Sequence, residues 1–543
     1  MKNKLGFLVF LVFQTFLFGQ TEDAWVYFKD KPNAATFLSS PLTMLTQKAL
    51  DRRNLHGVPL DIKDVPLEIT YVTSVANSTG VTVKARSKWF NALHVQGTKA
   101  HIDLLQNLSE VDSIQYASSS LNKSTNTTKR SLQNKFEKTY ASNDLSYGMA
   151  ANQIEMLKGN YLHNIGYKGE GMLIAILDSG FKGVESLNAF SNLHDGNTAN
   201  GEILGGYSFV ARSTDIYAES GNTHGLSVLS TIAGYLDTEF IGTAPNAQFY
   251  LFSTEDHFNE TPLEESLWVE AAERADSLGV SIINTSLGYS EFDNSNYNYS
   301  YADMDGQTTY ISRGAELAAS RGMLLVNSAG NSGNDAWHYI TAPADAPSVL
   351  TIGAVDGNEN IASFSSYGPT ADNRVKPNVL AQGQSVYVIN GAGNVAISNG
   401  TSFSGPIIAG MSACLWQAFP AKTAQQLKTL IEQSSDIYNN PTAQRGYGIP
   451  DFESIYSSLS IESNKLSTIQ IIPSLVTSSF QIKSWDFSEV FNLKIFDISG
   501  KQLMEIREVN GNTLIDVSNI NSGVYFAVVK NNKREQAFKF VKK

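Results

Sequence analysis

Three residues in this chain have the types needed for nucleophilic hydrolysis. Asp178 sits in "ILDSGF" directly after the apolar run "MLIAIL", His224 lies in "GNTHGLSVLSTIAG", and Ser402 lies in "NGTSFSGPIIAGMSACLWQAF". A serine hydroxyl attacks poorly until a base takes its proton. Imidazole can do so near neutral pH, and a carboxylate can fix its tautomer and stabilise the imidazolium. Taken alone, "ILDSGF" leaves other readings open. Its carboxylate could be one of two that share a proton and activate water, or simply the polar end of a core strand. The shared-proton chemistry needs a second Asp-Ser/Thr-Gly, and none occurs. The nearest approach, "DISG" at 497–500, has the wrong spacing.

These residues need a scaffold to bring them together. Between about 145 and 456 the runs "MLIAIL", "FYLF" at 249–252, "VSII" at 280–283, "MLLV" at 323–326 and "VLTIGAV" at 349–355 are apolar throughout. Strands apolar on both faces belong to parallel sheets covered by helices. Helical patterns such as "EESLWVEAAERADSLG" and "SRGAELAASRG" alternate with them, which predicts an α/β three-layer sandwich with a mainly parallel sheet. Asp178 then ends a strand at the sheet edge where ligands gather. His224 precedes a helix with Leu226, Leu229 and Ile232 at apolar spacing. The glycines near Ser402 permit a tight turn, and Pro406 suits the first turn of the helix that follows, with Ser402 near the positive end of its dipole. A nucleophile elbow, Gly-x-Ser-x-Gly, fits poorly because Ser404 stands two residues after Ser402.

The order Asp, His, Ser is that of subtilisin, and "ILDSGF", "THG" and "NGTSFSGP" resemble the three catalytic blocks of the subtilisin-like serine proteases. Two further blocks match: "NTSLGY" at 284–289 and "NSAGNSG" at 327–333. The resemblance implies a secreted serine endopeptidase acting through an acyl-enzyme. Asp178 would orient His224, His224 would deprotonate Ser402, and Asn331 would donate to the oxyanion together with the Ser402 amide. It also implies that Ser286, Leu287 and Gly288 pair with extended substrate, with Ala329 and Gly330 beside them. Phe403 and Ser404 replace the commoner Met-Ala, Leu226 departs after "HG", and Tyr289 replaces a frequent Gly, which leaves cleavage preference open. A narrow-specificity maturation peptidase and a catalytically inactive surface-binding scaffold are the alternative readings. The intact Asp, His, Ser and Asn positions argue against the inactive one.

The rest of the chain fits export. Lys2 and Lys4 precede an apolar run from Leu5 to Gly19, too short to span a bilayer and matching a secretory signal over residues 1–20. No later stretch is long and apolar enough to be a transmembrane segment. With 42% hydrophobic and 17% charged residues the chain is globular, and its net charge of −12 without a basic stripe argues against nucleic-acid binding. The single cysteine, Cys414, lies in an apolar run and reads as a buried small hydrophobe. His257 and His338 read as surface or structural residues. No organic cofactor is implied. Asp303, Asp305 and Gly306 faintly suggest a calcium loop but fit a surface turn better, so calcium is left without ligands.

Flanking segments change texture. Residues 21–117 mix strand-like "WVYF" and "GVTVKA" with helical "LTMLTQKALDRR" and "TKAHIDLLQNL", a small α+β domain that resembles the inhibitory propeptide of subtilases. Residues 118–144 form a polar linker containing Lys129–Arg130, and propeptide cleavage is expected between about 117 and 145. Residues 464–543, with "NLKIFDISGKQL" and "SGVYF", predict an all-β sandwich that resembles the C-terminal sorting domain of type IX secretion. The implied partners are protein or peptide substrates, the chain's own propeptide and that secretion machinery. The implied location is the cell surface or medium of a Bacteroidetes-like bacterium, reached through the periplasm.

Overall fold

The computed structural model describes residues 20–122, 145–219, 221–466, 470–473, 475–483, 490–510, 513–531 and 535–543. The predicted signal segment up to residue 19 and most of the linker, with Lys129–Arg130, lie outside the described residues. The chain divides into two compact units, Met1–Ile455 and Tyr456–Lys543.

The first unit opens with a four-stranded antiparallel sheet of β1 (Thr21–Phe28), β2 (Val81–Ser87), β3 (Ala92–Thr98) and β4 (Val111–Tyr116), in the order β2-β3-β1-β4. Val26, Leu93 and Val95 bury one face of this sheet against Val72 and Val75 of the helix Ile69–Ala76. The predicted helix over "LTMLTQKALDRR" begins later, at Gln47, because Pro41–Thr43 form a separate 3-10 turn and Thr46 accepts the Ala49 N–H as an N-cap.

Next comes a seven-stranded parallel sheet. Its strands are β5 (Leu173–Asp178), β6 (Glu202–Ser208), β9 (Gln248–Ser253), β10 (Ile282–Thr285), β11 (Leu324–Ser328), β12 (Leu350–Val355) and β13 (Val379–Gln382). A short hairpin, β7 (Tyr235–Leu236) and β8 (Phe240–Ile241), falls between β6 and β9, and a second, β14 (Val386–Ile389) and β15 (Val395–Ser398), follows β13. The order is β13-β12-β11-β10-β5-β9-β6. Leu173 to Leu177 are almost wholly buried, as expected of a central strand covered on both faces. Asp178 therefore ends the strand held between β9 and β10.

The helix Pro262–Leu278 carries the contact between the antiparallel sheet's subdomain and the parallel sheet's. The Glu273 carboxylate accepts the Ser87 hydroxyl at 2.6 Å and the Trp89 and Lys88 amides at 2.9 and 3.0 Å. Ser266 meets the Trp25 indole N–H and the His94 ring at 2.8 Å each. At the helix's C-terminal end, Asp276 takes Arg52 at 2.5 Å and Arg53 at 2.6 Å, and Arg53 also reaches Asp64 at 2.7 Å. Cations suit that end of the dipole. Arg53, Asp64 and Asp276 are almost entirely buried, so each charge depends on its partners rather than on water.

The second unit is an all-β sandwich. One sheet holds β16 (Gln470–Ile472), β18 (Ser479–Lys483) and β21 (Leu514–Asp516). The other orders β17 (Leu475–Val476), β23 (Glu535–Lys542), β22 (Gly523–Lys530), β19 (Val490–Asp497) and β20 (Gln502–Asn510). Phe480, Phe491, Leu493, Ile495, Val529 and Phe540 form its core. Gly500, with φ of 82°, makes the turn between β19 and β20.

Removing one member of the buried ion cluster tests its weight. Arg53→Ala should destabilise the full-length chain by about 3 kcal/mol in urea unfolding, and Arg53→Lys by less. A loss below about 1 kcal/mol would show that Arg52, on Asp276, and Arg321, which reaches Asp64 at 3.5 Å, compensate.

Candidate active site

Pro406 lies at the sixth position of the helix Thr401–Ala418, not in its first turn as expected from the sequence. Having no N–H, Pro406 cannot bond to the carbonyl four residues earlier, which belongs to Ser402. The Ser286 hydroxyl donates to that carbonyl instead, at 2.9 Å. In return the Ser402 hydroxyl faces the Ser286 carbonyl at 3.3 Å. The missing amide hydrogen thus ties the helix of Ser402 to the segment that leaves β10. Gly400, with φ of 147°, turns the chain from β15 into this helix.

His224 opens the helix His224–Ala233, which packs against the Ser402 helix. Its own entry is fixed from the β5 loop. The Gly225 and Leu226 amides donate to the carbonyls of Ser179 and Gly180 at 2.7 and 3.1 Å, and the His224 amide donates to Asn222 Oδ1 at 2.9 Å. The departure at Leu226 is a core choice, since its side chain is fully buried.

Asp178 and His224 meet directly: Nδ1 lies 2.6 Å from Asp178 Oδ1, which also accepts the Ser179 amide at 2.8 Å. An ionised carboxylate only accepts, so Nδ1 carries the proton and Nε2 is left as the basic nitrogen. Burial is the largest influence on the ring and pulls its pKa down. The charge of Asp178 and its hydrogen bond more than offset this and hold it above the ordinary 6.5. The second oxygen, Oδ2, is buried without a partner among the described residues. The Phe403 ring stands 6.0 Å from the His224 ring, so this departure forms one side of the imidazole's surroundings.

Asn331 is exposed, and Thr401 sets its direction. Its Oδ1 accepts the Thr401 amide at 2.8 Å and the Thr401 hydroxyl at 3.0 Å, and the Gly330 amide donates to that same hydroxyl oxygen at 3.2 Å. Because Oδ1 is occupied, the Nδ2 donors are the free end of the amide. Ser286 is buried, Leu287 half-buried and Gly288 exposed. Asn327 Nδ2 holds the Leu287 carbonyl at 3.1 Å, and among the described residues the Gly288 backbone has no partner. Ala329 is fully buried and Gly330 half-buried, with φ of 106° at Gly330. Tyr289, singled out for its position beside this strand, is turned inward. It is 1% exposed, its hydroxyl donates to Glu255 at 2.6 Å, and its backbone pairs with Ala342.

All nine residues singled out in the sequence fall at the carboxyl edge of β5, β10 and β11 or at the starts of the two helices beside it. Sequence reasoning did not single out Thr401, Asn222 or Glu219, which takes the Gly180 amide at 3.1 Å. Thr401 adjoins the nucleophile candidate, but nothing in its type announces that it aims an amide 70 residues away. Elsewhere, Asp303 and Asp305 cap their own turns, through the Ser300 amide at 2.7 Å and the Gln307 and Thr308 amides at 2.8 Å. Cys414 is fully buried beside the Thr243 carbonyl, and burial pushes its thiol well up.

Comparison with known proteins places the chain. Residues 169–449 match the model of the subtilase family, residues 23–134 that of the peptidase S8 propeptide domain of Bacteroidota, and residues 470–543 that of the secretion system C-terminal sorting domain. Subtilisin DY of Bacillus licheniformis is 29% identical over 284 residues, 52% of this chain and 90% of that protein. Subtilisin NAT of Bacillus subtilis subsp. natto is 29% identical over 292 residues, which span 53% of this chain and 66% of that one. A solved structure of MycP1 with the N-terminal propeptide removed aligns with a TM-score of 0.44 at 19% identity, over 56% of this chain and 96% of that one. The subtilase match takes in more than half of the 543 residues, and the chain belongs to the subtilase family of serine peptidases.

Proposed function

We propose that this chain is the precursor of an exported endopeptidase that cleaves peptide bonds through Asp178, His224 and Ser402. The observation that carries the reading is the short Nδ1–carboxylate bond of His224, which leaves Nε2 as a base at the sheet edge where Ser402 begins its helix. A bound peptide would extend along Leu287–Gly288, where the Gly288 backbone is open among the described residues. The substrate carbonyl would face Asn331 Nδ2 and the Ser402 amide. His224 would take the hydroxyl proton as Ser402 attacks and return it to the leaving amine. The resulting acyl-enzyme would be released by water, activated by the same imidazole. The Ser402 hydroxyl would turn from the Ser286 carbonyl to His224 when substrate arrives, since such bonds tighten in the Michaelis complex.

The region 21–122 fits the role of an inhibitory propeptide because it grips the peptidase through buried ion pairs. The sorting-domain match fits export to the cell surface or medium. The processed protein should react with a fluorophosphonate at Ser402, and His224→Ala should abolish the adduct. No labelling of processed wild type would favour an inactive scaffold instead.

Two kinetic outcomes follow from the geometry. Neutral His224 is the working form, so its raised pKa places the acid limb of kcat/KM at a midpoint above 6.5. Asp178→Asn should lower both that midpoint and the rate, as read from a pH profile on a peptide anilide. Asn331→Ala should cut kcat about 10²–10³-fold with KM little changed, because the lost donor acts on the oxyanion and not on the ground state.

A further inference from the structure

Beside the Asp178–His224 pair, the carboxyl edge of the sheet holds a cavity of about 290 Å³. It lies between the loop that follows β6 and the loop that follows β9. Its position is tied to the reacting groups by two contacts. Ser253, on its wall, is the register partner of Asp178 in the neighbouring strand. Glu219, also on its wall, accepts the Gly180 amide two residues beyond Asp178, and the Ser253 hydroxyl at 3.3 Å. The space is too small for a folded partner and suits one long side chain.

Its lining is unusual in composition. Val210, Ile216 and Phe258 give it apolar walls, and Phe258 is 83% exposed. Four carboxyl groups line it, Asp215 and Glu219 from the loop after β6 and Glu255 and Asp256 from the loop after β9. Among the described residues no lysine or arginine lines it. The nearby Arg212 is committed elsewhere, to Glu270 at 2.7 Å and to the Lys84 carbonyl. Burial above all, opposed by the Tyr289 hydroxyl and aided by the charges of Glu260 and Asp178, pushes the Glu255 carboxyl up to about 8.

A cavity lined by both apolar side chains and carboxylates matches a lysine or arginine, whose methylene stem packs on carbon while the head reaches charge. The chain's own sequence points the same way. The segment 118–144, where propeptide cleavage is expected, carries Lys123, Lys129, Arg130, Lys135 and Lys138 against only Glu137 and Asp144.

We infer that this cavity is a specificity subsite that takes a basic side chain of the peptide substrate close to the scissile bond, with Asp215 and Asp256 as its charge-recognising residues. The inference rests on the endopeptidase reading above and adds a substrate class to it. Asp215 and Asp256 are the groups to alter, since Glu219 and Glu255 are bound to the Asp178 loop and to Tyr289. Asp215 uses one oxygen for a local turn, with the Tyr217 amide, while Asp256 takes the Phe258 amide on one oxygen and Asn259 Nδ2 on the other at 2.8 Å; asparagine keeps the turn acceptor in each.

The test is a positional scan with fluorogenic peptides, uniform in norleucine except for a single lysine placed in turn on either side of the cleaved bond. Wild type should cleave one lysine-bearing peptide about tenfold better in kcat/KM than the all-norleucine parent at low salt. That advantage should shrink in 0.5 M salt, because screening weakens it. In the Asp215→Asn/Asp256→Asn variant it should fall to about twofold or less, with the norleucine peptide still cleaved at the wild-type rate. Equal cleavage of all peptides, or a lysine preference that survives in the double variant, would overturn the subsite. So would calcium raising the Tm of wild type but not of the variant with no lysine preference, which would make the cavity a cation site. If wild type cleaves nothing and Ser402 takes no fluorophosphonate, the endopeptidase reading itself falls and takes this inference with it. That result is distinct from cleavage without charge preference.

Discussion

The absent amide hydrogen of Pro406 shapes the centre of this molecule. A helix that begins with the nucleophile candidate would ordinarily satisfy the Ser402 carbonyl within its own second turn. Here that bond cannot form, and the Ser286 hydroxyl supplies the donor from the end of β10. A carbonyl buried without a partner would cost about 1–3 kcal/mol, so the helix and the strand edge are held in one register by a need internal to the backbone. The Ser402 hydroxyl and the segment Ser286–Gly288 are thereby fixed relative to each other. The remaining parts are hung from this pair: Thr401 reaches to Asn331, and the neighbouring helix carries His224 to Asp178.

The helix Pro262–Leu278 is the second organising element. Its outer face and C-terminal end hold the N-terminal antiparallel sheet through Ser266, Glu273 and Asp276. Its N-terminal turn lies just after the acid-rich loop of Glu255, Asp256 and Glu260, with Glu264 capping the Thr261 amide at 2.8 Å. One helix thus connects the surface that retains the propeptide domain with the loop that borders the reacting pair. The buried cluster of Arg52, Arg53, Asp64 and Asp276 is weak evidence for added stability, since charges lose hydration when buried. It does make the docking geometry specific, because each ion has few other partners.

Much of the α/β layer was legible because its signals are local. Strands such as Leu173–Asp178 are apolar up to their last residue, and helices such as Tyr310–Ser320 have capping residues and periodic faces, so their types and rough bounds follow from nearest neighbours. Boundaries slipped where a local competitor intervened, as with the 3-10 turn at Pro41–Thr43. Pro406 was placed in a first turn because a proline within a helix is disfavoured locally, and the compensating donor stands 116 residues away from Ser402. Tyr289 likewise could not be judged from its position, since its inward turn depends on Glu255 and on the Ala342 backbone.

The sequence by itself determined which groups this protein can bring to a reaction: an acid at a strand end, an imidazole and a hydroxyl at helix starts, and a carboxamide in a glycine-flanked turn. Residue type and spacing suffice for that, because each block needs only its own few residues to form. Tertiary structure alone decided how those groups face one another. It chose Nδ1 as the protonated nitrogen of His224, aimed Asn331 through Thr401, and gathered Asp215, Glu219, Glu255 and Asp256 around one cavity. Those outcomes depend on contacts between residues far apart in the chain, and their energies exist only once the sheet has brought its strand ends to one edge.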